Sequence, residues 1–266
     1  MRRLAIRPGA IGDFIVSLPA LECLKPDAER DSLEVWTATA NVPLVRFTPH
    51  ARSIASTGLN LLGVSDPPPR LLEDLARFDS IVSWYGANRP EFRELVDSLG
   101  LPFHFLPALP AAGCGCHAVD FYLEQVRGLG GPAVCRSDGI PRIVCRAEDS
   151  GRSESRPFAV IHPFSGSPSK NWPLHRFRLL ARGLERRMAV RWCASPEDPP
   201  LEGAVYIEDL YRLACWLSQA SLYVGNDSGI THLAAAAGAP VLALFGPTDP
   251  EIWGPRGGNV RVARLA

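Results

Sequence analysis

The sequence has no excess of charge of either sign, because 28 Lys and Arg residues balance 28 Asp and Glu residues among its 266 positions. Without a basic excess, the chain has no overall field that attracts nucleic acid, and it contains no nucleic-acid-binding motif. Its seven cysteines are odd in number and lack the spacing of a disulfide framework. They predict reduced thiols and a cytoplasmic location.

Uninterrupted hydrophobic runs of membrane-spanning length are also missing. Residues 1–21 have the basic start and apolar body of an export signal, but RPGAIGD at residues 7–13 interrupts that body, so we expect no export. Residues 228–248 contain no Asp, Glu, Lys or Arg, yet glycines and prolines divide them into helix, turn, strand and loop. This pattern is typical of a buried β/α segment.

Motifs for several common chemistries are absent. The chain has no G-x-S-x-G nucleophile motif and no G-x-x-x-x-G-K-[ST] phosphate loop, so nucleophilic hydrolysis and P-loop ATP hydrolysis are not supported. The sequence CGCH places Cys114, Cys116 and His117 together, but a second ligand pair at zinc-site spacing is missing nearby. We therefore predict no metal site.

Strands and helices alternate along the first half, which predicts a parallel α/β sheet. Strands are predicted at residues 3–7, 33–37, 53–56 and 79–84, and helices at residues 14–24, 42–47, 70–77, 90–99 and 119–129. Residues 101–115 are rich in Pro, Ala and Gly and are predicted to be irregular.

A second β/α series follows a charged, serine-containing segment at residues 145–156, which has the composition of a linker. Strands are predicted at residues 158–162, 189–193, 205–207, 221–224, 241–245 and 259–263, and helices at residues 174–187, 210–219 and 230–237. The chain is thus predicted to form two doubly wound, Rossmann-like domains, at residues 1–150 and 151–266.

The stretch VGNDSGITHLAAAAGAPVLALFGPTDP predicts an anion site at the edge of the second sheet. Asn226, Asp227 and Ser228 compete to cap the following helix, whose unpaired N–H groups and positive dipole end favour a phosphate. Asp227 can alternatively bind a sugar hydroxyl. The predicted phosphate donors at the helix start are Ser228, Gly229 and Thr231.

The loop SGSPSKNW should reach the same sheet edge, because it follows the first strand of the second half. Its Lys170 is the only lysine in that half, and a mobile ammonium suits a diphosphate. The alternative is an ordinary solvated lysine. Further hydroxyl and backbone donors come from Ser165, Gly166 and Ser167.

Two other side chains have two interpretations each. His232 can hydrogen-bond a phosphate oxygen, or it can be a structural partner of a carbonyl or carboxylate. Glu208 follows a predicted strand and can reach a ribose, or it can be a surface acid.

The first glycine turn, RPGAIGD, places Asp13 at the start of the first helix. Gly9 and Gly12 fill only part of the G-x-G-x-x-G spacing, so a nicotinamide cofactor is not favoured. Asp13 can accept a proton from a substrate hydroxyl, or it can interact with the helix dipole.

Three stretches, IRPGAIGDFIVSLPAL, HPFSGSPSKNWP and VGNDSGITHLAAAAGAPVLALFGPTDPEIWGP, together resemble the ADP-heptose:lipopolysaccharide heptosyltransferases, glycosyltransferase family 9. The resemblance implies a GT-B architecture, in which two Rossmann-like domains face a cleft. The second domain would hold the nucleotide-sugar and the first the acceptor.

The resemblance also implies an inverting transfer. Asp13 would deprotonate an acceptor hydroxyl, which attacks the anomeric carbon directly. Lys170 would stabilise the departing diphosphate together with Ser228, Gly229 and Thr231. No cofactor is required, because the nucleotide-sugar is a substrate. A contribution of Mg²⁺ is left open, and neither half contains a D-x-D motif.

The implied partners are an ADP-linked sugar donor and a lipid-linked saccharide acceptor of the lipopolysaccharide core, with peripheral contact to the inner membrane left open. Two alternatives stand beside this reading. The first alternative is a nucleotide-sugar-binding protein without transfer activity. It is considered because the chain ends soon after its last predicted strand, where GT-B enzymes commonly add a terminal helix. The second alternative is a GT-B-like sugar-nucleotide epimerase, which would need further acid and base groups.

Overall fold

The computed structural model describes residues 1–26, 28, 30–65, 67–111, 113–129, 137–150 and 156–265. The chain forms two compact units, the first comprising Met1–Ala10 and Ser17–Asp138 and the second comprising Ile11–Val16 and Gly139–Ala266. Each unit contains one parallel sheet flanked by helices. The prediction of two parallel α/β domains is confirmed.

The first unit has five strands: β1 (Arg2–Arg7), β2 (Ser32–Thr37), β3 (His50–Ser53), β4 (Ser80–Ser83) and β5 (Phe103–Phe105). Their order in the sheet is β3-β2-β1-β4-β5. The helices of this half are α1 (Ile11–Cys23), α2 (Pro69–Leu75), α3 (Pro90–Ser98) and α4 (Ala118–Arg127). Three 3-10 segments lie at Thr39–Leu44, Ile54–Ser56 and Leu59–Leu61.

The core of the first unit lies between the sheet and helices α2 and α3. Leu4 and Ile6 of β1 point to the same face of the sheet, because side chains two apart on a strand share a face. Phe92 and Val96 of α3 are four residues apart and fully buried against that face. The spacing of four residues places both side chains on one side of α3, which is the side that packs on the sheet.

The second unit has six strands: β6 (Phe158–His162), β7 (Ala189–Cys193), β8 (Ala204–Val205), β9 (Leu222–Asn226), β10 (Val241–Phe245) and β11 (Val260–Arg264). Their order is β11-β10-β9-β6-β7-β8. Its helices are α5 (Leu174–Leu184), α6 (Leu210–Leu217), α7 (Gly229–Ala236) and α8 (Pro250–Trp253), with 3-10 segments at Ala147–Ser150 and Pro168–Lys170.

The core of the second unit is centred on β6, whose five residues FAVIH are all buried. A continuous apolar strand of this kind is typical of the middle of a parallel sheet covered on both faces. Ile161, Val224 and Leu244 come from three adjacent strands and pack against Phe177 and Ala181 of α5. This packing fixes the strand ends from which the site loops emerge.

Several local predictions were wrong. Residues 101–115 are not all irregular, since β5 pairs with β4 there, and a three-residue strand is too short to show a period. Residues 42–47 do not form an α-helix, because the chain makes the 3-10 segment Thr39–Leu44 around Pro43, which has no N–H to donate. Strand β3 precedes the predicted 53–56, and α8 was not predicted.

The two units divide between Asp138 and Gly139, ahead of the predicted boundary at 150/151. The segment after the division packs on the second unit. The Ile143 N–H donates to the carbonyl of Ala236 at the end of α7 over 2.9 Å, and the Tyr211 hydroxyl of α6 donates to Asp149 over 2.8 Å. Residues 151–155 of the predicted linker lie outside the described residues.

The prediction of reduced thiols is wrong at Cys23, which is disulfide-bonded. Spacing along one sequence does not reveal a pairing that depends on tertiary contact. The free cysteines of the described part are Cys114, Cys116, Cys145, Cys193 and Cys215.

The apolar segment at residues 228–248 folds as predicted into α7, a turn and β10. In the described ranges, no helix combines the length and the apolar character needed to cross a membrane.

Candidate functional site

The second sheet has its topological switch point between β6 and β9. From β6 the chain continues to β7 and β8 on one side, whereas β9, β10 and β11 lie on the other. Loops that leave the carboxyl ends of two such strands diverge, and the crevice between them is where open α/β sheets bind ligands. The predicted loops at residues 165–172 and 226–229 follow these two strands.

Asn226, at the end of β9, fastens the loop that follows β6. Its side chain is fully buried, its Oδ1 accepts a hydrogen bond from the Trp172 N–H over 2.9 Å, and its Nδ2 donates to the Pro163 carbonyl over 2.7 Å. One amide group therefore holds both ends of the loop against β9. The sequence suggested Asn226 only as a helix cap, so this role was missed.

Lys170 and Asp227 form an ion pair across the crevice, with Nζ and Oδ2 2.8 Å apart. The Asp227 side chain is 7% exposed and the Lys170 side chain is 33% exposed. The carboxylate of the pair is therefore buried, whereas the ammonium is partly accessible to solvent. An ammonium has three N–H donors, and the bond to Asp227 uses one of them. The pair therefore holds a cation at the mouth of the crevice with donors remaining for a ligand.

Ser228 is the N-cap of α7, so the alternative caps Asn226 and Asp227 are excluded. The Ser228 Oγ accepts from the Thr231 N–H over 3.3 Å, and the Thr231 hydroxyl donates to the carbonyl of Asn226. Tyr223 Oη lies 3.1 Å from Thr231 Oγ1. The helix start, including the backbone of Gly229, is thus held in place by buried hydroxyl groups.

Replacing Gly225 by alanine is expected to disturb this helix start. A Cβ at Gly225 would lie 2.6 Å from Tyr223 Oη and 2.9 Å from Thr231 Oγ1, both buried. We expect the free energy of unfolding to fall by about 1–3 kcal/mol. Gly166→Ala is the matched control, because its Cβ would meet nothing within 4 Å. Denaturant unfolding checks the prediction, and equal losses in the two variants would contradict it.

A second buried polar cluster lies at the same sheet edge and was missed in the sequence. His162 ends β6, and its Nε2 lies 3.1 Å from Asp198 Oδ2, which also accepts from the Ser195 N–H and hydroxyl, each over 2.7 Å. The Nδ1 of His162 is buried and has no hydrogen-bond partner in the described part of the chain. The one available signal was a polar residue ending an otherwise apolar strand.

The surroundings of Asp198 change its pKa. Burial acts to raise that pKa, but the hydrogen bonds from His162 and from Ser195 outweigh it and hold the pKa below the ordinary 3.8. A carboxyl whose pKa is lower in the folded state contributes stability above its unfolded pKa. That contribution is lost as the pH falls from about 4 through the lower folded value.

We therefore expect Asp198→Asn to lower the free energy of unfolding by about 1.5–3 kcal/mol at neutral pH, the usual value of hydrogen bonds to a charged group. The difference from wild type should shrink as the pH falls below about 4, because both proteins then lack the charge. Denaturant unfolding at a series of pH values measures it. A difference independent of pH would contradict the assigned ionisation.

The other predicted donor-side residues occupy different positions along this edge. The Ser165 hydroxyl lies 2.8 Å from both the Ser167 carbonyl and Asn171 Oδ1, and Gly166 is exposed. Glu208 is exposed between β8 and α6, two strands beyond β6. His232 is 6% exposed in the first turns of α7. The structure therefore brings the 165–172 loop and the start of α7 together, while Glu208 follows a strand farther along the same sheet.

The first helix begins beside α7 within the second unit, which includes Ile11–Val16. A Cβ at Gly12 would lie 3.4 Å from His232 Cδ2 and 3.5 Å from the Cα of Gly229. Asp13, the next residue, is half-buried in the first turn of α1. Gly12 therefore permits a close approach of the two helix starts.

Gly9 lies in the first unit, at the end of β1. It is exposed, and its φ of 136° lies in the region that favours glycine. Its carbonyl accepts from Asn41 Nδ2 over 3.0 Å. This carbonyl bond and the backbone conformation shape the turn that leads to α1.

The CGCH sequence makes a close thiol pair. Cys114 Sγ and Cys116 Sγ are 3.3 Å apart, and His117 caps α4 by accepting from the Val119 N–H at its Nδ1. Within the described residues, no three or more His, Cys, Asp or Glu side chains are grouped so as to hold a metal ion.

Comparison with known proteins identifies relatives for both halves. The model of glycosyltransferase family 9 (heptosyltransferase) matches residues 142–266. Lipopolysaccharide heptosyltransferase 3 of Escherichia coli is 37% identical over an alignment of 301 residues that covers 94% of this chain and 84% of that protein. Lipopolysaccharide heptosyltransferase 1 of Escherichia coli K12 is 32% identical over 119 residues, and the match spans only 37% of its length.

The fold has solved counterparts. The structure of the Escherichia coli heptosyltransferase WaaC with ADP matches with a TM-score of 0.71 and 20% identity, covering all of this chain and 94% of WaaC. At this identity the likeness shows the fold, which is of the GT-B type.

Proposed function

The chain belongs to glycosyltransferase family 9, and from this premise we propose that it is an inverting glycosyltransferase. It moves a heptose from ADP-heptose to a hydroxyl of a lipopolysaccharide-core-like saccharide. The observation that carries the proposal is the Lys170–Asp227 pair beside the capped start of α7, at the switch point of the second sheet. A fixed cation and a helix N-terminus together suit a diphosphate.

The donor diphosphate lies against the start of α7 in this proposal. The positive end of the helix and the N–H group of Gly229 face the phosphates, while Lys170 donates its remaining N–H groups. Negative charge builds on the diphosphate as the glycosidic bond breaks. Preorganised donors stabilise that charge at no reorganisation cost, so they favour the transition state over the bound substrate.

Asp13 is the general base of the proposed reaction. Its carboxylate accepts the proton of the acceptor hydroxyl while the hydroxyl oxygen attacks the anomeric carbon from the face opposite the diphosphate. One displacement of this kind inverts the anomeric configuration and needs no covalent intermediate. Support comes from the position of Asp13 in the first turn of α1, directly after Gly12, whose Cβ position is within 4 Å of α7 residues.

The proposed substrates follow from the relatives. The similar proteins are named lipopolysaccharide heptosyltransferases, so we propose a lipopolysaccharide saccharide as the acceptor. The WaaC structure contains ADP, which supports ADP as the nucleotide of the donor. A lipid-linked acceptor implies a cytoplasmic enzyme that contacts the inner membrane face. Cell fractionation tests this location, and recovery of the protein from an oxidising compartment, which the Cys23 disulfide would suit, would contradict it.

A transfer assay tests the proposal. The protein is incubated with ADP-heptose and a deacylated lipopolysaccharide-core acceptor, and the product is analysed by mass spectrometry and by NMR of the new anomeric centre. We expect release of ADP with inversion of the anomeric configuration. Donor binding without release would favour a nucleotide-sugar-binding protein, and an epimerised sugar nucleotide formed without acceptor would favour an epimerase.

A further inference from the structure

Cys114 and Cys116 form a thiol pair that the proposed transfer does not use. They lie in the loop between β5 and α4 of the first unit, where Cys114 is exposed and Cys116 is half-buried. Their sulfur atoms are 3.3 Å apart, and the Cys114 N–H donates to the carbonyl of Ala111 over 3.1 Å. Both thiols are therefore close to each other and accessible from solvent.

Two glycines give the loop the conformation that brings the thiols together. Gly113 has a φ of 77° and Gly115 a φ of 65°, in the left-handed region that favours glycine. Gly115 lies between the two cysteines, and its left-handed backbone departs from an extended chain, in which alternate residues are about 6.6 Å apart. A Cβ at either glycine would meet nothing within 4 Å, so glycine is needed there for backbone conformation rather than for space.

The surroundings of the two sulfurs do not complete a metal site. A closed zinc site needs four ligands, and the two thiols would supply only two of them. The Nδ1 of the neighbouring His117 already accepts the Val119 N–H, and the described ranges place no set of three metal-ligating side chains together. The pair is therefore a dithiol rather than half of a closed metal site.

We propose that Cys114 and Cys116 are a thiol–disulfide exchange site that reacts with low-molecular-weight disulfides such as oxidised glutathione. The Cys114 thiolate attacks the disulfide, forming a mixed disulfide and releasing one glutathione thiolate. The Cys116 thiolate then attacks Cys114 Sγ, closes the intramolecular disulfide and releases the second glutathione. Two protein thiols are oxidised and one glutathione disulfide is reduced, and the two protons lost by the protein thiols end on the two glutathione thiols.

The order of attack follows from the contact between the thiols. The hydrogen bond with Cys114 is the main cause that raises the pKa of Cys116 above its ordinary value. Cys114 is also the exposed thiol of the pair, whereas Cys116 is half-buried, so Cys114 meets an external disulfide first and Cys116 acts as the resolving thiol.

The loop is attached to the strand end where the first glycine turn begins. The Tyr122 hydroxyl of α4 donates to the carbonyl of Ala108 over 2.7 Å and accepts from Arg7 Nη2 at the end of β1 over 2.8 Å. Gln125 Nε2 donates to the carbonyl of Pro107 over 3.0 Å. The loop that carries the dithiol is thus tied to the carboxyl edge of the first sheet. The site is independent of the proposed transfer reaction.

Mass spectrometry of the full chain in glutathione redox buffers tests the proposal. The tryptic peptide at residues 94–127 contains only these two cysteines, so its mass reports them directly. After acid quenching, we expect this peptide to lose two hydrogen atoms in wild type, with less than about a tenth of it carrying glutathione. In Cys116→Ser, more than about half should carry one glutathione, because the resolving thiol is absent.

Cys145 is the internal control, because it is the only cysteine of the tryptic peptide at residues 143–146 and burial raises its pKa to about 12. Its peptide should stay unmodified. Stable glutathione adducts on the wild-type 94–127 peptide would overturn the proposal, since they would show two independent thiols. Two free thiols at the most oxidising ratio would overturn it as well.

Discussion

Asp13→Asn is expected to lower the rate of sugar transfer by at least about 10²-fold, the lower end of the usual contribution of a general base. Asparagine keeps the size and the hydrogen-bonding oxygen of the side chain but cannot accept the hydroxyl proton. ADP affinity should stay within about threefold, because the proposed phosphate contacts are at Lys170 and the start of α7 rather than at Asp13. Rates at saturating donor and calorimetric titration with ADP measure the two quantities separately.

Glu91→Gln separates catalysis from a simple helix-dipole role for Asp13. Glu91 is the acid in the first turn of α3, as Asp13 is in α1, and it is exposed. Loss of either acid should cost the dipole interaction, about 0.3–1 kcal/mol of stability. Only Asp13→Asn should slow transfer. A fully active Asp13→Asn enzyme would remove Asp13 from the mechanism and leave the structural role.

Lys170→Ala is expected to weaken ADP binding by about 10–100-fold. The change removes a cation at the mouth of the crevice and leaves Asp227, which is 7% exposed, as an unpaired carboxylate beside the phosphates. Asp227→Asn should weaken ADP binding by less, about 3–10-fold, because the ammonium loses its tether but keeps its charge. Calorimetry with ADP gives both values.

Lys25→Ala is the matched control, since Lys25 is the only other lysine of the chain and is exposed in the first unit. It should leave ADP affinity unchanged. The double variant Lys170→Ala/Asp227→Asn should bind ADP better than Lys170→Ala alone, because the uncompensated carboxylate is gone. If Lys170→Ala bound ADP as tightly as the wild type, Lys170 would have no role in phosphate binding and would be an ordinary solvated loop lysine.

The strands of the second unit were predictable because burial on both faces leaves a continuous apolar run. The residues FAVIH and VLALF coincide with β6 and β10. The site loops were predictable for a related reason. Glycine and small polar residues follow these buried strands, and parallel strands end at one edge of the sheet. Asp209 caps α6, as expected for its residue type, with its Oδ1 accepting from the Arg212 N–H over 2.8 Å.

The contacts that organise the site could not be predicted, because they join residues far apart in the chain. Asp227 meets Lys170 across 57 positions, and Asp198 meets His162 across 36. Residue type indicated a capping or sugar-binding role for Asp227, whereas the fold gives it an ion pair. A short edge strand such as β5 has too few residues for periodicity to reveal it.

Calorimetric titration of the wild-type protein with ADP, UDP and GDP tests the central claim most directly, because it asks whether the crevice at β6 and β9 holds the diphosphate of an ADP-linked donor. The account predicts measurable binding of ADP, weaker binding of the other two nucleotides, and loss of most of the ADP affinity in Lys170→Ala but not in Lys25→Ala. Absence of binding by all three nucleotides, or ADP binding that Lys170→Ala leaves unchanged, would contradict it.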